Sequence, residues 1–208
     1  MTNPDRWAAP PELAGELINS IGLGQLLTID DGGEPRAASL PFHAASRDGA
    51  EQLVFHIPGH FPQHGDLLAG RTALALFTGV NGYISPAWYA EPDAPTWDFE
   101  TVEVRGAAVA LSPEETREHL NALTDHHERG AENPFALSEV DEAYVEAMLS
   151  SVGGFRLPMT DGSVTVRRKL SQNRTPAEIE AIRDGLTARR GPMDLWLSEV
   201  IGRHAEGN

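Results

Sequence analysis

The sequence predicts a mainly β protein with α: a small antiparallel barrel, then a helical part from about residue 112 to the end. Three observations predict it. Short apolar runs are punctuated by Asp-Gly and Gly-Gly turns. Few of those runs are joined by helical patterns, which favours an antiparallel barrel over a parallel sheet. Helix-capping signals gather after residue 111. The 208 residues suit one domain with enough chain to bury a sizeable core, and no repeat, low-complexity tract or long linker divides them.

After a proline-rich lead, Leu13, Leu17 and Ile21 recur four apart, the stripe of a short amphipathic helix over Glu12 to Ile21 that Gly22 and Gly24 end. Gln25 to Ile29 and Arg36 to Phe42 read as strands joined by Asp30-Asp31-Gly32-Gly33-Glu34-Pro35, whose glycines supply the positive φ of a hairpin. Gln52 to Ile57 is a third strand, after a turn at Asp48-Gly49. A helix start is expected near Pro62, where proline is tolerated. Thr72 to Thr78 is a buried strand that leads through Gly79-Val80-Asn81-Gly82 into a proline- and aromatic-rich hairpin ending at Gly106. Thr101 to Leu111 continues the sheet.

Ser112-Pro113-Glu114-Glu115 carries a cap, a proline at the first helical position and a glutamate at the capping-box position, so a helix runs from there to about Arg129. Ser138-Glu139-Val140-Asp141 opens another, with Val140, Tyr144, Ala147 and Met148 on one face. Phe155 to Met159 and Ser163 to Leu170 are strands around Asp161-Gly162. Thr175-Pro176-Ala177-Glu178 repeats the cap, and Leu195, Val200 and Ile201 give a last helix its apolar side.

There are 31 acidic against 16 basic residues, a formal charge of -15, so nucleic acid is not an expected partner. Cysteine is absent, which excludes a disulfide framework, an iron–sulfur cluster, a thiolate haem ligand and a cysteine nucleophile. The amino end lacks a basic segment followed by an apolar run, and no apolar stretch approaches bilayer length. No membrane association is expected, and the cytoplasm is the expected compartment.

Two separated blocks carry a resemblance. The first is Tyr83-Ile84-Ser85-Pro86-Ala87-Trp88-Tyr89, then Pro95-Thr96-Trp97, then Val102-Glu103-Val104-Arg105-Gly106; the second is Lys169-Leu170-Ser171-Gln172-Asn173-Arg174. In this order they resemble the PaiB-type FMN-binding split-barrel family. The resemblance implies a split β-barrel with flanking helices that forms a homodimer and is usually described as FMN-binding, sometimes as a transcriptional regulator. It places Tyr83, Ser85, Trp88 and Trp97 among the cofactor-binding residues, with packing of the barrel mouth as the other reading of the aromatics. It adds Lys169, Ser171, Gln172 and Arg174, reaching the site from the partner chain. This basic run suits a flavin phosphate, haem propionates or an amino-acid carboxylate; a solvated strand end is the alternative.

The chain departs from the family pattern after the third strand. Where the family has an arginine suited to a flavin phosphate, Gly59 stands, followed by His60 and Phe61, and His64 replaces a tryptophan. A phosphate clamp is lost and imidazoles are gained. Imidazole is a proximal haem ligand, and a PaiB-like branch, the piperazate synthases, is haem-dependent. Similarity to that branch implies haem b as cofactor and a small amino-acid substrate. The implied reaction closes δ-N-hydroxylated ornithine to piperazate by forming an N–N bond with loss of water. FMN with an oxidoreductase activity, or a regulatory role, is the alternative.

The expected axial ligand is His60, then His64, then His56; an ordinary surface or core histidine is the competing reading for each. His126 and His127, late on a capped helix, read as structural or solvated. Asp98 and Glu103 stand where the pattern has Asn and His, and either could accept a proton from a substrate amine. Strand alternation makes Glu103 equally a surface partner of Arg105.

Overall fold

The computed structural model describes residues 4–47, 49–91 and 93–207. Among them lie nine strands: β1 (Ala8–Ala9), β2 (Leu23–Ile29), β3 (Pro35–Arg47), β4 (Ala50–Pro58), β5 (Thr72–Ile84), β6 (Thr96–Ala107), β7 (Val109–Ala110), β8 (Val152–Pro158) and β9 (Val164–Lys169). The six α-helices are α1 (Ala14–Ile21), α2 (Pro62–Leu68), α3 (Pro113–Glu128), α4 (Glu142–Ser151), α5 (Pro176–Arg189) and α6 (Asp194–Glu206). The strand order is β1-β9-β6-β5-β2-β3-β4-β8-β7, an open and mostly antiparallel sheet. No helix among the described residues is long and apolar enough to cross a membrane.

The chain divides into two compact units, one of residues 12–77 and 103–165, the other of residues 1–11, 78–102 and 166–208. The first unit grows from the β2–β3–β4 meander. At its first turn Asp30 Oδ1 accepts hydrogen bonds from the Gly32 and Glu34 amides, and Gly33 adopts a φ of 85°. Asp48 of the second turn lies outside the described residues, while Gly49 has the positive φ expected there. Alternation along β3 and β4 sends Phe42 and Phe55 inward, where their rings meet at 5.1 Å and extend to Phe77 and Phe155. Each such buried ring contributes about 1.5–3 kcal/mol.

Helix α3 starts with the capping box read from the sequence: Ser112 Oγ accepts from the Glu115 amide, and Glu115 reaches back to the Ser112 amide. It buries Thr116, His119, Leu120 and Leu123, spaced i, i+3, i+4, i+7. At β8, Gly154 faces Thr116 so closely that an added Cβ would overlap the threonine side chain.

The second unit holds α5 and α6, packed through Ile182, Leu186, Leu197, Val200 and Ile201 onto Ile84 and Leu170. The Thr175 capping box forms as expected, and α5 ends with Arg190 left-handed at φ 56°. Trp88 lies over Gly185, where any side chain would collide with the indole.

Three local expectations are corrected. Gly79-Val80-Asn81-Gly82 is extended and inside β5, because Gly82 serves close packing: a Cβ there would meet Leu197 Cδ2 at 2.8 Å. Helix α4 begins at Glu142 with Asp141 as its cap, while Leu137–Glu139 forms a separate 3-10 turn. It buries Val145, and Tyr144 is exposed. Part of the proline-rich lead is β1, paired antiparallel with β9 through Ala8↔Arg167 and Ala9↔Val166.

Gly154→Ala is expected to cost about 1–3 kcal/mol in urea unfolding, as overpacking does. Thr116→Ala in the same chain should recover part of that loss by removing the atoms in the way.

Candidate functional site

In the α5–α6 unit, alternation along β6 buries Asp98 and Glu100 while exposing Trp97. Asp98 is fully inaccessible, and its Oδ2 accepts a 2.5 Å hydrogen bond from Ser171 Oγ. Lys169 Nζ stands 3.9 Å from Asp98 Oδ1 and also meets Thr96 Oγ1. That Oδ1 has no hydrogen-bond partner among the described residues, and neither has the buried Tyr89 hydroxyl. Arg174 spreads its guanidinium 3.7 Å over the Tyr89 ring and pairs with Asp93 at 2.7 Å. Arg168 pairs with Glu100, also at 2.7 Å.

Burial is the main cause that pushes the Asp98 carboxyl up to about 6, against the opposing Ser171 hydrogen bond and the charges of Lys169 and Arg174. Burial also lowers Lys169 and raises Tyr89. The cluster therefore contains a carboxyl that exchanges its proton near neutral pH.

The other expected residues of this unit stand around it in separate roles. Gln172 closes its own turn, accepting from the Leu170 amide and donating to the Arg168 carbonyl. Ser85 Oγ accepts from the Ala87 amide and starts the 3-10 turn carrying Trp88. Tyr83 and Trp97 meet edge to face at 6.3 Å, with Trp97 Nε1 donating to Asn81 Oδ1. Glu103 belongs to the other unit, where it pairs with Arg105 at 2.6 Å.

The three histidines spaced by four part company in the β2–β4 unit. His60 is exposed in the turn after β4, edge-on to Phe61. His56 is half-buried on β4, with Nδ1 3.0 Å from His119 Nε2. His64 on α2 lies against Gly153 and edge-on to Phe155, and lines a cleft of about 700 Å³. Leu68, Leu111, Leu149 and Val152 form apolar walls of that cleft, and Glu114, Arg117, Glu118 and Glu146 its polar border. Arg117 is held by Glu142 and Glu146. His126 bonds the Asn19 carbonyl, a structural role.

Sequence reasoning missed His43 and His119. His119 Nδ1 lies 3.1 Å from His43 Nδ1, so these two and His56 form a chain of imidazoles. The only local signal was the buried stripe of α3, which places His119 inside.

A family model described as "Putative FMN-binding domain" matches residues 1–161. The chain belongs to this FMN-binding family. A relative in Bacillus subtilis (strain 168), named protease synthase and sporulation protein PAI 2, is 28% identical over 188 residues, covering 88% of this chain and 87% of that one. Among solved structures, the FAD and heme binding protein from Mycobacterium smegmatis matches with a TM-score of 0.64 at 19% identity, over 85% of this chain and 80% of its own. The flavocytochrome Anf3 from Azotobacter vinelandii matches at 0.59 and 13% identity, over 81% and 72%. The fold is thus the split barrel with flanking helices that the resemblance implies.

Asp98 has a sign-defined consequence. Its folded pKa lies above its unfolded one, so the native state holds more protons between about pH 4 and 6, and stability falls as pH rises through that window. Relative to wild type, Asp98→Asn should gain about 2–3 kcal/mol between pH 4 and pH 7. Paired urea titrations across that range test this; a constant difference would show that Asp98 is ionised throughout.

Proposed function

We propose that the protein is a homodimeric, haem b-binding enzyme of the FMN-binding family that closes δ-N-hydroxylated ornithine to piperazate. The observation that carries this reading is His64, an imidazole on the wall of a largely apolar cleft of about 700 Å³. The donor chemistry fits: one imidazole nitrogen donor, no thiolate anywhere in the chain, and aliphatic walls for a macrocycle. Of the three histidines only His64 lines the cleft, while His60 is exposed, so His64 is the ligand we favour. Propionates would be left to solvent, since Arg117 is already paired.

A bound haem would supply Lewis acidity toward the N–O bond. The reaction is redox-neutral: the α-amine nitrogen bonds to the δ-nitrogen, the N–O bond breaks, and the hydroxyl leaves with a proton as water. The chain's own part is to bind. Glu114, Glu118 and Glu146 favour a substrate bearing an ammonium group.

The family match over residues 1–161 favours a second reading, an FMN-binding oxidoreductase, for which Lys169 and Arg174, beyond the matched residues, would be phosphate partners. The net charge of -15 counts against a DNA-binding regulator.

Absorption spectroscopy and mass measurement of the extracted cofactor separate the readings. The expected result is a Soret band that His64→Ala abolishes and His60→Ala leaves in place, with conversion of δ-N-hydroxyornithine to a product lighter by one water. A yellow protein yielding FMN would overturn the haem assignment and the cyclase with it.

A further inference from the structure

The imidazole chain of the β2–β4 unit has a geometry of its own. His56 Nδ1 and His119 Nε2 are 3.0 Å apart, and His119 Nδ1 and His43 Nδ1 are 3.1 Å apart. The ring centroids stand 5.2 and 5.0 Å apart. The His43 and His119 rings are stacked with planes 6° apart and those of His56 and His119 are tilted by 56°; the N···N separations mark both contacts as hydrogen bonds. No group of three or more His, Cys, Asp or Glu side chains that could hold a metal ion occurs among the described residues.

A neutral imidazole has one donor and one acceptor nitrogen. Burial lowers all three histidines, His119 to about 3, so the chain is neutral at ordinary pH. His119, engaged at both nitrogens, must donate to one neighbour and accept from the other. The chain is therefore directional, and only two arrangements satisfy it.

The two ends reach different surroundings. His43, with His119, lines a cleft of about 300 Å³ bordered by Arg47, Glu115 and Glu118. His56 stands opposite Gly154 in the β4–β8 register, and Gly154 lines the larger cleft that His64 also lines. The charged groups facing the chain are the Arg47–Glu115 ion pair, Glu118, and His126, whose charge further disfavours protonation of His43.

We propose that His43, His119 and His56 form a proton relay beneath α3, joining the smaller cleft to the strand position that borders the larger one. A proton arrives at His43 Nε2; the His43 Nδ1 proton passes to His119 Nδ1; the His119 Nε2 proton passes to His56 Nδ1; and His56 Nε2 releases one. Every ring ends in its other tautomer, and no net charge remains. His43 and His56 are the exchanging ends and His119 the positioning residue between them. The relay stands whether the larger cleft holds haem, a flavin or neither.

The test is nitrogen NMR of the intact protein labelled with ¹⁵N-histidine. Couplings across both N–H···N bonds are expected in the unaltered chain; absence of coupling at either contact breaks the relay and overturns the proposal. His43→Asn should shift the tautomer ratio of His56, two rings away, on the order of threefold, because linked hydrogen bonds polarise one another. The same substitution in a His119→Gln background should leave His56 unmoved. A His56 tautomer indifferent to His43→Asn while His119 is in place would also overturn it, and a purely structural cluster would give that result.

Discussion

Two consecutive positions without side chains, Gly153 and Gly154 on β8, decide how closely anything can approach that strand. A Cβ at Gly154 would overlap Thr116, and one at Gly153 would overlap the His64 ring. Because Thr116 can sit on the strand, α3 lies low over β4 and β8, and His119, one turn further along, comes within hydrogen-bonding distance of His56. His64 on α2 lies with its Nε2 edge against Gly153 and lines the cleft. Both arrangements thus depend on atoms that are missing, and the tolerance for restoring them is small in an interior packed to crystal-like density.

The other unit is organised by a charge that is expensive to bury. Ser171 has a φ of 55°, a conformation that costs a non-glycine residue about 1 kcal/mol or more. Glycine would relieve that cost but would lose the hydroxyl that donates to Asp98. Removing one partner of a buried carboxyl costs more than relaxing one backbone angle, which gives a physical reason for serine at this strained position. Gln172 holds the same turn from both sides, bonding the Leu170 amide and the Arg168 carbonyl. The Lys169-Leu170-Ser171-Gln172 segment is therefore a rigid clasp around one carboxyl, a different thing from a flexible basic tail.

Much of the fold was legible because local rules acted without competition. The Ser112 and Thr175 capping boxes, the Asp30 turn and the alternation of β3, β4 and β6 each depend on residues within a few positions of one another. The strand read over Thr72 to Thr78 runs on to Ile84 because the glycines beyond it serve close packing, and only the distant Leu197 shows that for Gly82. The start of α4 slipped because Asp141, which caps it, lies three residues beyond the serine that looked like a cap. The candidate site divides in the same way. Asp98, Lys169 and Ser171 were visible through their two motif blocks and do come together. His43 and His119 were not, since their contact spans 76 positions and imidazole carries no periodic signal. The spacing of four in His56, His60 and His64, by contrast, is visible in the sequence and has no common structural meaning, because a strand end, a turn and a helix each take one.

Read as sequence, Arg167 to Arg174 looks like a store of positive charge waiting for a phosphate. In the folded unit Arg168 faces Glu100, Lys169 faces Asp98, and Arg174 faces Asp93 with Glu178 also within 3.9 Å. An incoming phosphate must therefore compete with carboxylates already in place, two of them buried, for cations that are not free. Separating such a buried pair by removing one partner is strongly unfavourable, so a phosphate gains least at Lys169 and Arg168. Arg174 is the exception: its partner Asp93 is half exposed, and that exchange takes place close to solvent. A doubly charged phosphate anchored here would depend on Arg174 far more than on its neighbours.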